Sequence, residues 1–199
     1  MIRGPRAQNP YNDRIMIQPI YIYGSEVLRA KAPEADIQDR DGLTGLITDL
    51  KDTLAKADGC GLAAPQIGVS TRVLIVDGTG MADVYDYLKD FRRTMINPVI
   101  VEESSSKCEY DEGCLSIPGV YCAVTRPEKM TVEYYNENFE KVTETFDRFA
   151  CRMVQHEMSH LDGILFTDLV APIRKKIIAK KLQNISRGKV SAHYNIKLK

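Results

Sequence analysis

No apolar run in this sequence approaches the roughly 20 residues that a bilayer-spanning helix requires, and the N-terminal stretch has no apolar segment of the kind that directs secretion. The expectation is a cytoplasmic protein without a membrane partner. Cysteine is also sparse: Cys60, Cys108, Cys114, Cys122 and Cys151 are five in number and lack the close spacing of a stapled small scaffold. That count argues against a disulfide framework and for a reducing compartment, with most of the five serving as small core residues. Net charge is missing too, since 27 Lys and Arg balance 27 Asp and Glu. The balance conceals an asymmetry, because residues 171–199 carry nine Lys and Arg with no Asp or Glu. There is no internal repeat, and 199 residues with 44% hydrophobic content suit one compact domain.

Residues 1–14 (MIRGPRAQNPYNDR) are polar and aperiodic. They read as a disordered extension or an expression remnant before a start at Met16, leaving 15–199 as the domain. Leu43, Leu46, Ile47, Leu50 and Leu54 follow helical spacing, and Gly59 can cap the helix. After GCGLAAPQIG at 59–68, the run RVLIVD at 72–77 reads as a buried strand, and 78–93 as a surface excursion. Further strands are expected at 95–101, 130–135 and 139–146, the last two joined by a turn at Asn136, Glu137 and Asn138. Asp147 is an expected N-cap for a helix marked by Phe149, Ala150, Met153, Val154, Met158 and Leu161, which stops near Gly163. From about 173, behind Pro172, a last helix carries an apolar stripe of Ile173, Ile177, Ile178 and Leu182 beside Arg174, Lys175, Lys176, Lys180 and Lys181. Sheet and helix are thus segregated, an α+β pattern.

Only three histidines occur, and two of them, His156 and His160, frame an H-E-x-x-H sequence inside the second helix. Four residues make about one helical turn, so both imidazoles lie on one side and can share a metal ion. Glu157 falls inside the apolar arc with Ala150, Val154 and Leu161. A carboxylate buried there needs a partner or a raised pKa, which suits an acid and base working on water. Two histidines leave a catalytic metal one protein ligand short. The extended H-E-x-x-H-x-x-G-x-x-H pattern fails, because Phe166 stands where its third histidine would be. A Glu on a later helix fails as well, since no Glu follows Glu157. The third ligand should lie upstream, with Cys114 in the irregular segment EGCLSIPG (112–119) leading Cys108 and Cys122.

GCGLAAPQIG at 59–68, EGCLS at 112–116 and QHEMSHLDG at 155–163 resemble, in that order, the three motifs of peptide deformylases. The resemblance implies small antiparallel sheets packed around a central helix that carries the histidines, with a C-terminal helix. It implies one divalent metal ion on Cys114, His156 and His160, ferrous iron being the expected ion in cells, with zinc, nickel or cobalt acceptable. Attack of a metal-bound hydroxide on the formyl carbon of an N-terminal formyl-methionine would follow, with Glu157 as general base and acid. Gln66 and the Leu115 N–H would polarise the formyl oxygen, Gly61 would hold substrate through its backbone, and Cys60, Phe149 and Met153 would contribute to the methionine pocket. Ser159 departs from the family, which usually has Asp there. Arg152 is more polar than a methionine pocket suggests, and its side chain is expected to snorkel to solvent. Arg126 is a candidate ion-pair partner for Glu112.

Two other readings share the histidine helix: a metalloprotease acting on internal peptide bonds, and a non-catalytic structural metal module. The basic last helix suggests a partner with an anionic surface, for which the resemblance to enzymes acting on emerging chains implies the ribosome, against the plainer reading of solvated charge on an amphipathic helix. Nothing points to sequence-specific DNA binding.

Overall fold

The computed structural model describes residues 16–199, so the expectation for residues 1–14 lies outside the described part. In chain order the elements are β1 (Ile20–Tyr21), α1 (Arg40–Ala57), β2 (Gly61–Ala63), β3 (Val73–Asp77), β4 (Arg92–Glu103), β5 (Lys107–Cys114) and β6 (Ile117–Pro127). They continue with β7 (Lys129–Tyr135), β8 (Lys141–Asp147), α2 (Arg148–Leu161), α3 (Phe166–Leu169), α4 (Pro172–Ile185) and β9 (Ile196–Lys197). Strands β2-β3-β4-β7-β8 form one antiparallel sheet, and β5 and β6 form a separate antiparallel hairpin. The exception to antiparallel pairing is the two-residue match of β1 with β9, which is parallel. Among the described residues, no helix is long and apolar enough to cross a membrane.

The continuous apolar run of β3 is explained by burial on both faces. Leu74 and Val76 face α2, packing with Met153, Val154, Met158 and Leu161. Val73 and Ile75 face α1, packing with Leu43, Ile47, Leu50 and Leu54. A third cluster joins Ile117, Val120, Cys122 and Val124 of β6 to Phe166, Val170, Ile178 and Ile185. Helix α2 is therefore held between the large sheet and the hairpin, and that position brings its histidines to the hairpin's end.

Several local expectations are corrected. Helix α1 ends one residue earlier than the glycine suggested: Asp58 takes the left-handed cap position at φ 53°. Asp tolerates that conformation, and Gly59 is left to serve close packing instead. The segment 112–119 is not irregular but lies largely in the hairpin, where a register shift between Gly113 and Cys114 absorbs its turn-forming residues. Asp147 does precede α2 but makes no side-chain cap bond; its carboxylate pairs with Arg148 at 3.1 Å. On α4 the apolar stripe splits. Ile178 and Ile185 are buried, whereas Ile173 and Ile177 are 68% and 70% exposed. The excursion at 78–93 contains two short helical turns and contributes the fully buried Leu88 to the core.

Candidate metal centre and substrate cleft

Helix α2 carries His156 and His160 one turn apart, with ring centroids separated by 5.2 Å. Strand β5 ends at Cys114, and its Sγ lies 3.3 Å from His160 Nε2. One ligand atom from each of Cys114, His156 and His160 lies within 4.8 Å of the other two. One sulfur and two imidazoles converging this closely fit a divalent transition-metal ion, and among the described residues no other His, Cys, Asp or Glu joins that cluster. Cys108 and Cys122 lie outside it. Cys108 touches Arg152, and Cys122 packs in the hairpin core.

The orientation of His156 is set from the hairpin. Its Nδ1 lies 2.8 Å from Glu112 Oε2, which leaves Nε2 as the nitrogen available to a metal. Glu112 is itself buried and accepts from Arg126 Nε at 2.7 Å, Arg126 Nη2 at 2.9 Å and Arg152 Nη1 at 2.6 Å. Burial works against its charge, yet His156 and Arg126 hold its carboxyl well below the usual range. Burial likewise opposes a charged His156, but Cys114 and Glu112 outweigh it and the ring is pushed up to about 10. His160 goes the other way, since burial and the neighbouring His156 hold it well below the ordinary histidine value.

The Arg126–Glu112 pair anticipated from sequence is present, and it belongs to a larger network. Arg152 does not reach solvent. It is 3% exposed, because Glu112 and the carbonyls of Val124 and Cys108 satisfy its terminal nitrogens in the interior. Ser159 is part of the same network: its Oγ accepts from Arg126 Nη1 and donates to the Gln155 carbonyl, both at 2.8 Å. A neutral hydroxyl thus stands opposite Arg126.

Glu157 is buried, and burial pushes its carboxyl up to about 7, with His156 pulling in the opposite direction. Its Oε2 has no hydrogen-bond partner among the described residues. Gly61 is packed so closely against this carboxyl that an added Cβ would sit 2.5 Å from Oε1. Gln66 is 1% exposed and its amide orientation is dictated by neighbours. The Ala63 N–H donates to Oε1 at 2.8 Å, so Nε2 faces Ser116 Oγ at 3.2 Å and Cys114 Sγ at 3.6 Å. Leu115 is half-buried next to Cys114, and an added Cβ at Gly59 would lie 2.8 Å from its Cδ1.

These groups open onto one cleft of about 790 Å³, lined among others by Cys60, Gly61, Gln66, Cys114, Leu115 and Glu157. Phe149, Met153 and Met81 form its apolar side. Phe149 stacks on Tyr85 at 5.0 Å and meets Tyr110 edge-on at 5.6 Å, so it is both a lining and a packing residue. Burial raises the Cys60 thiol pKa, with nearby Glu157 adding to the shift. Every site residue singled out from the sequence lies on this cleft or, for His160, at the metal cluster behind it. Sequence reasoning missed the roles of Arg152 and Ser116, and the approach of residues 191–194 to the same cleft. The first two sit inside or beside the motifs; the last has no local signal.

The polypeptide deformylase family model matches residues 17–176. A peptide deformylase of Christiangramia forsetii is 43% identical over 189 residues, covering 92% of this chain and 96% of that protein. One from Flavobacterium johnsoniae is 42% identical with the same coverage. The crystal structure of a Legionella pneumophila peptide deformylase superposes with a TM-score of 0.74 at 34% identity, covering 87% of this chain and 97% of the other. With three motif segments gathered around one cleft and similarity along nearly the whole length, the chain belongs to the polypeptide deformylase family.

Proposed function

We propose that Cys114, His156 and His160 hold one divalent cation and that Glu157 moves the proton as this chain hydrolyses the formyl amide of N-terminal formyl-methionine on nascent polypeptides. The observation that carries the reading is the approach of one thiol and two imidazoles to within 4.8 Å beside a buried carboxyl. A cation held by those three side chains supplies Lewis acidity, acidifying water and polarising a carbonyl oxygen. Ferrous iron is the proposed cellular ion, and zinc, nickel and cobalt suit the same donors.

Glu157, with its carboxyl pushed up to about 7, is suited to take a proton from water and return it to the departing amine. As the water oxygen bonds to the formyl carbon, negative charge gathers on the formyl oxygen. Gln66 Nε2, held by the Ala63 N–H that fixes its amide, and the Leu115 N–H are the donors proposed to meet that charge. The carbon–nitrogen bond then breaks, formate departs, and the amine carries the proton from Glu157. Gly61, whose missing Cβ leaves its place to the Glu157 carboxyl, is proposed to hold substrate through its backbone, and Cys60, Phe149 and Met153 are proposed to receive the methionine side chain.

Residues 15–199 are proposed to act as one catalytic domain in the cytoplasm, where formylated chains emerge. Exposure of Arg174, Lys175, Lys176, Lys180 and Lys181 on α4 supports the ribosome as partner, because an array of exposed cations suits a phosphate-rich surface. Reversing four of these charges should abolish co-sedimentation with ribosomes, and unchanged co-sedimentation would remove that partner. The reaction itself is tested by metal analysis and turnover of formyl-Met-Ala by the native chain and Glu157→Gln. Retained metal with turnover reduced by about 10²–10⁴ is expected; a Glu157→Gln variant as active as the native chain would refute the assignment.

A further inference from the structure

Residues 78–91 leave the large sheet between β3 and β4 and close on themselves at the neck. There the Gly78 N–H donates to the Phe91 carbonyl and Arg92 Nε donates to Asp77 Oδ2, both at 2.9 Å. None of the three motifs includes this loop, yet it is tied into the interior. Leu88 is fully buried, and Met81, Tyr85 and Phe91 pack against the core that holds Met153 and Val154. The contacts gather on two side chains proposed for the methionine pocket. Tyr85 stacks on Phe149 with ring centroids 5.0 Å apart, and an added Cβ at Gly78 would lie 3.0 Å from Met153 Cε. Met81 itself lines the cleft beside both.

The same loop completes the start of α2. The first N–H groups of a helix have no partner within it, and Asp147, placed to supply one, makes no side-chain cap bond. The Phe149 N–H donates instead to Tyr87 Oη at 3.2 Å, from 62 residues away in sequence. Arg148, which turns the chain from β8 into α2 at φ 50°, lays its guanidinium over the Tyr87 ring, 3.7 Å from the centroid. A residue other than glycine keeps a left-handed conformation only where its surroundings hold it there. Tyr87 holds this turn through its ring and its hydroxyl together. Phe149, the residue fixed in this way, is itself a wall of the cleft.

Resting on the deformylase reading, we infer that the loop 78–91 sets the width of the pocket for the first side chain of the substrate, with Met81 as a specificity-determining residue and Tyr87 as a positioning residue. Met81 acts directly, because it lines the pocket. Tyr87 touches no substrate; it acts through the N-terminus of α2 on Phe149. The class selected is an unbranched, flexible side chain of methionine length over a branched or aromatic one. Walls stacked and capped from behind resist parting, and an apolar pocket discriminates by the width it keeps.

The test measures kcat/KM for formyl-Met-Ala, formyl-Leu-Ala and formyl-Phe-Ala on the metal-loaded native chain, Tyr87→Phe and Met81→Ala. Tyr87→Phe keeps the ring and removes the hydroxyl. It should cut the preference for Met over Leu about fivefold, by raising KM for formyl-Met-Ala while kcat and metal content stay near native. Met81→Ala should cut the preference for Met over Phe about tenfold, because the space it vacates admits a ring. Calorimetric titration with the products Met-Ala, Leu-Ala and Phe-Ala reads the pocket without turnover. Altered product selectivity in both variants, with no formyl peptide hydrolysed by the native chain, would leave the loop's role standing and sink the deformylase reading. A lower melting temperature in Tyr87→Phe with native selectivity is what a cap that only stabilises would give, and it overturns the inference. Native Met-over-Phe selectivity in Met81→Ala overturns it as well.

Discussion

Replacing Glu112 with Gln preserves the shape of the side chain while removing the charge that two buried arginines and His156 share. Arg126 and Arg152 are 7% and 3% exposed, so neither can turn to water when the carboxylate is gone. Their contacts to Glu112 span 2.6–2.9 Å, and Gln offers one acceptor oxygen in place of two while placing an NH₂ against a donor. Breaking one partner of a buried ion pair costs about 3–5 kcal/mol, since the remaining charge is left uncompensated. At about 2–4 °C per kcal/mol for a chain of this size, the melting temperature should fall by roughly 6–20 °C. The same change frees the His156 ring from its orienting acceptor, so metal affinity should drop by about 10–100-fold. Calorimetric melts and metal titration of the refolded protein measure the two effects separately. Adding Arg152→Met should recover part of the lost stability, because one uncompensated cation disappears with it. A Glu112→Gln melt within about 1 kcal/mol of native, or a double variant less stable than the sum of its parts, would refute the charge argument.

Gly61→Ala should reduce turnover strongly at near-native metal content, because its Cβ would fall 2.5 Å from Glu157 Oε1 and displace that carboxyl; full activity with formyl-Met-Ala would contradict the packing. Ser159→Asp should stabilise the protein by about 1–2 kcal/mol by giving Arg126 a charged acceptor in place of the hydroxyl now 2.8 Å away; a lowered melting temperature would count against it. Glu144 carries the pH prediction. Burial raises its pKa, but hydrogen bonds from Arg93 and Tyr134 outweigh that and hold it below the ordinary value of 4.5. Its contribution is therefore complete above pH 4.5 and is lost as pH falls through the lower folded value. Glu144→Gln should flatten the decline of melting temperature on the acid side, and an unaltered acid limb would show that the carboxylate contributes nothing there.

The helix that carries both histidines was legible because its information is local. His156 and His160 stand four residues apart, and helix geometry alone places them on one side. Leu74 and Val76 against Val73 and Ile75 were legible as a buried strand for the same kind of reason, although only the structure shows that each pair meets a different helix. Arg152 was misread because its position on a helix says nothing of a carboxylate 40 residues earlier. The hairpin of β5 and β6 was missed because Gly113, Pro118 and Gly119 signal turns, while the pairing that overrides them lies across strands. On α4, periodicity marked Ile173 and Ile177 as readily as Ile178, and burial chose among them through what the rest of the fold supplied.

By itself, then, the sequence determined the chemistry on offer: two imidazoles and a carboxyl on one helical turn, with a cysteine segment upstream as candidate third ligand. Tertiary structure decided which cysteine meets them, which acid orients His156, where Arg152 finds its counter-charge, and that residues 191–194 close on the cleft. The division follows from physics. Helical spacing is set within a few residues, whereas a buried charge or a shared ligand cluster is stable only when distant segments arrive together to replace water.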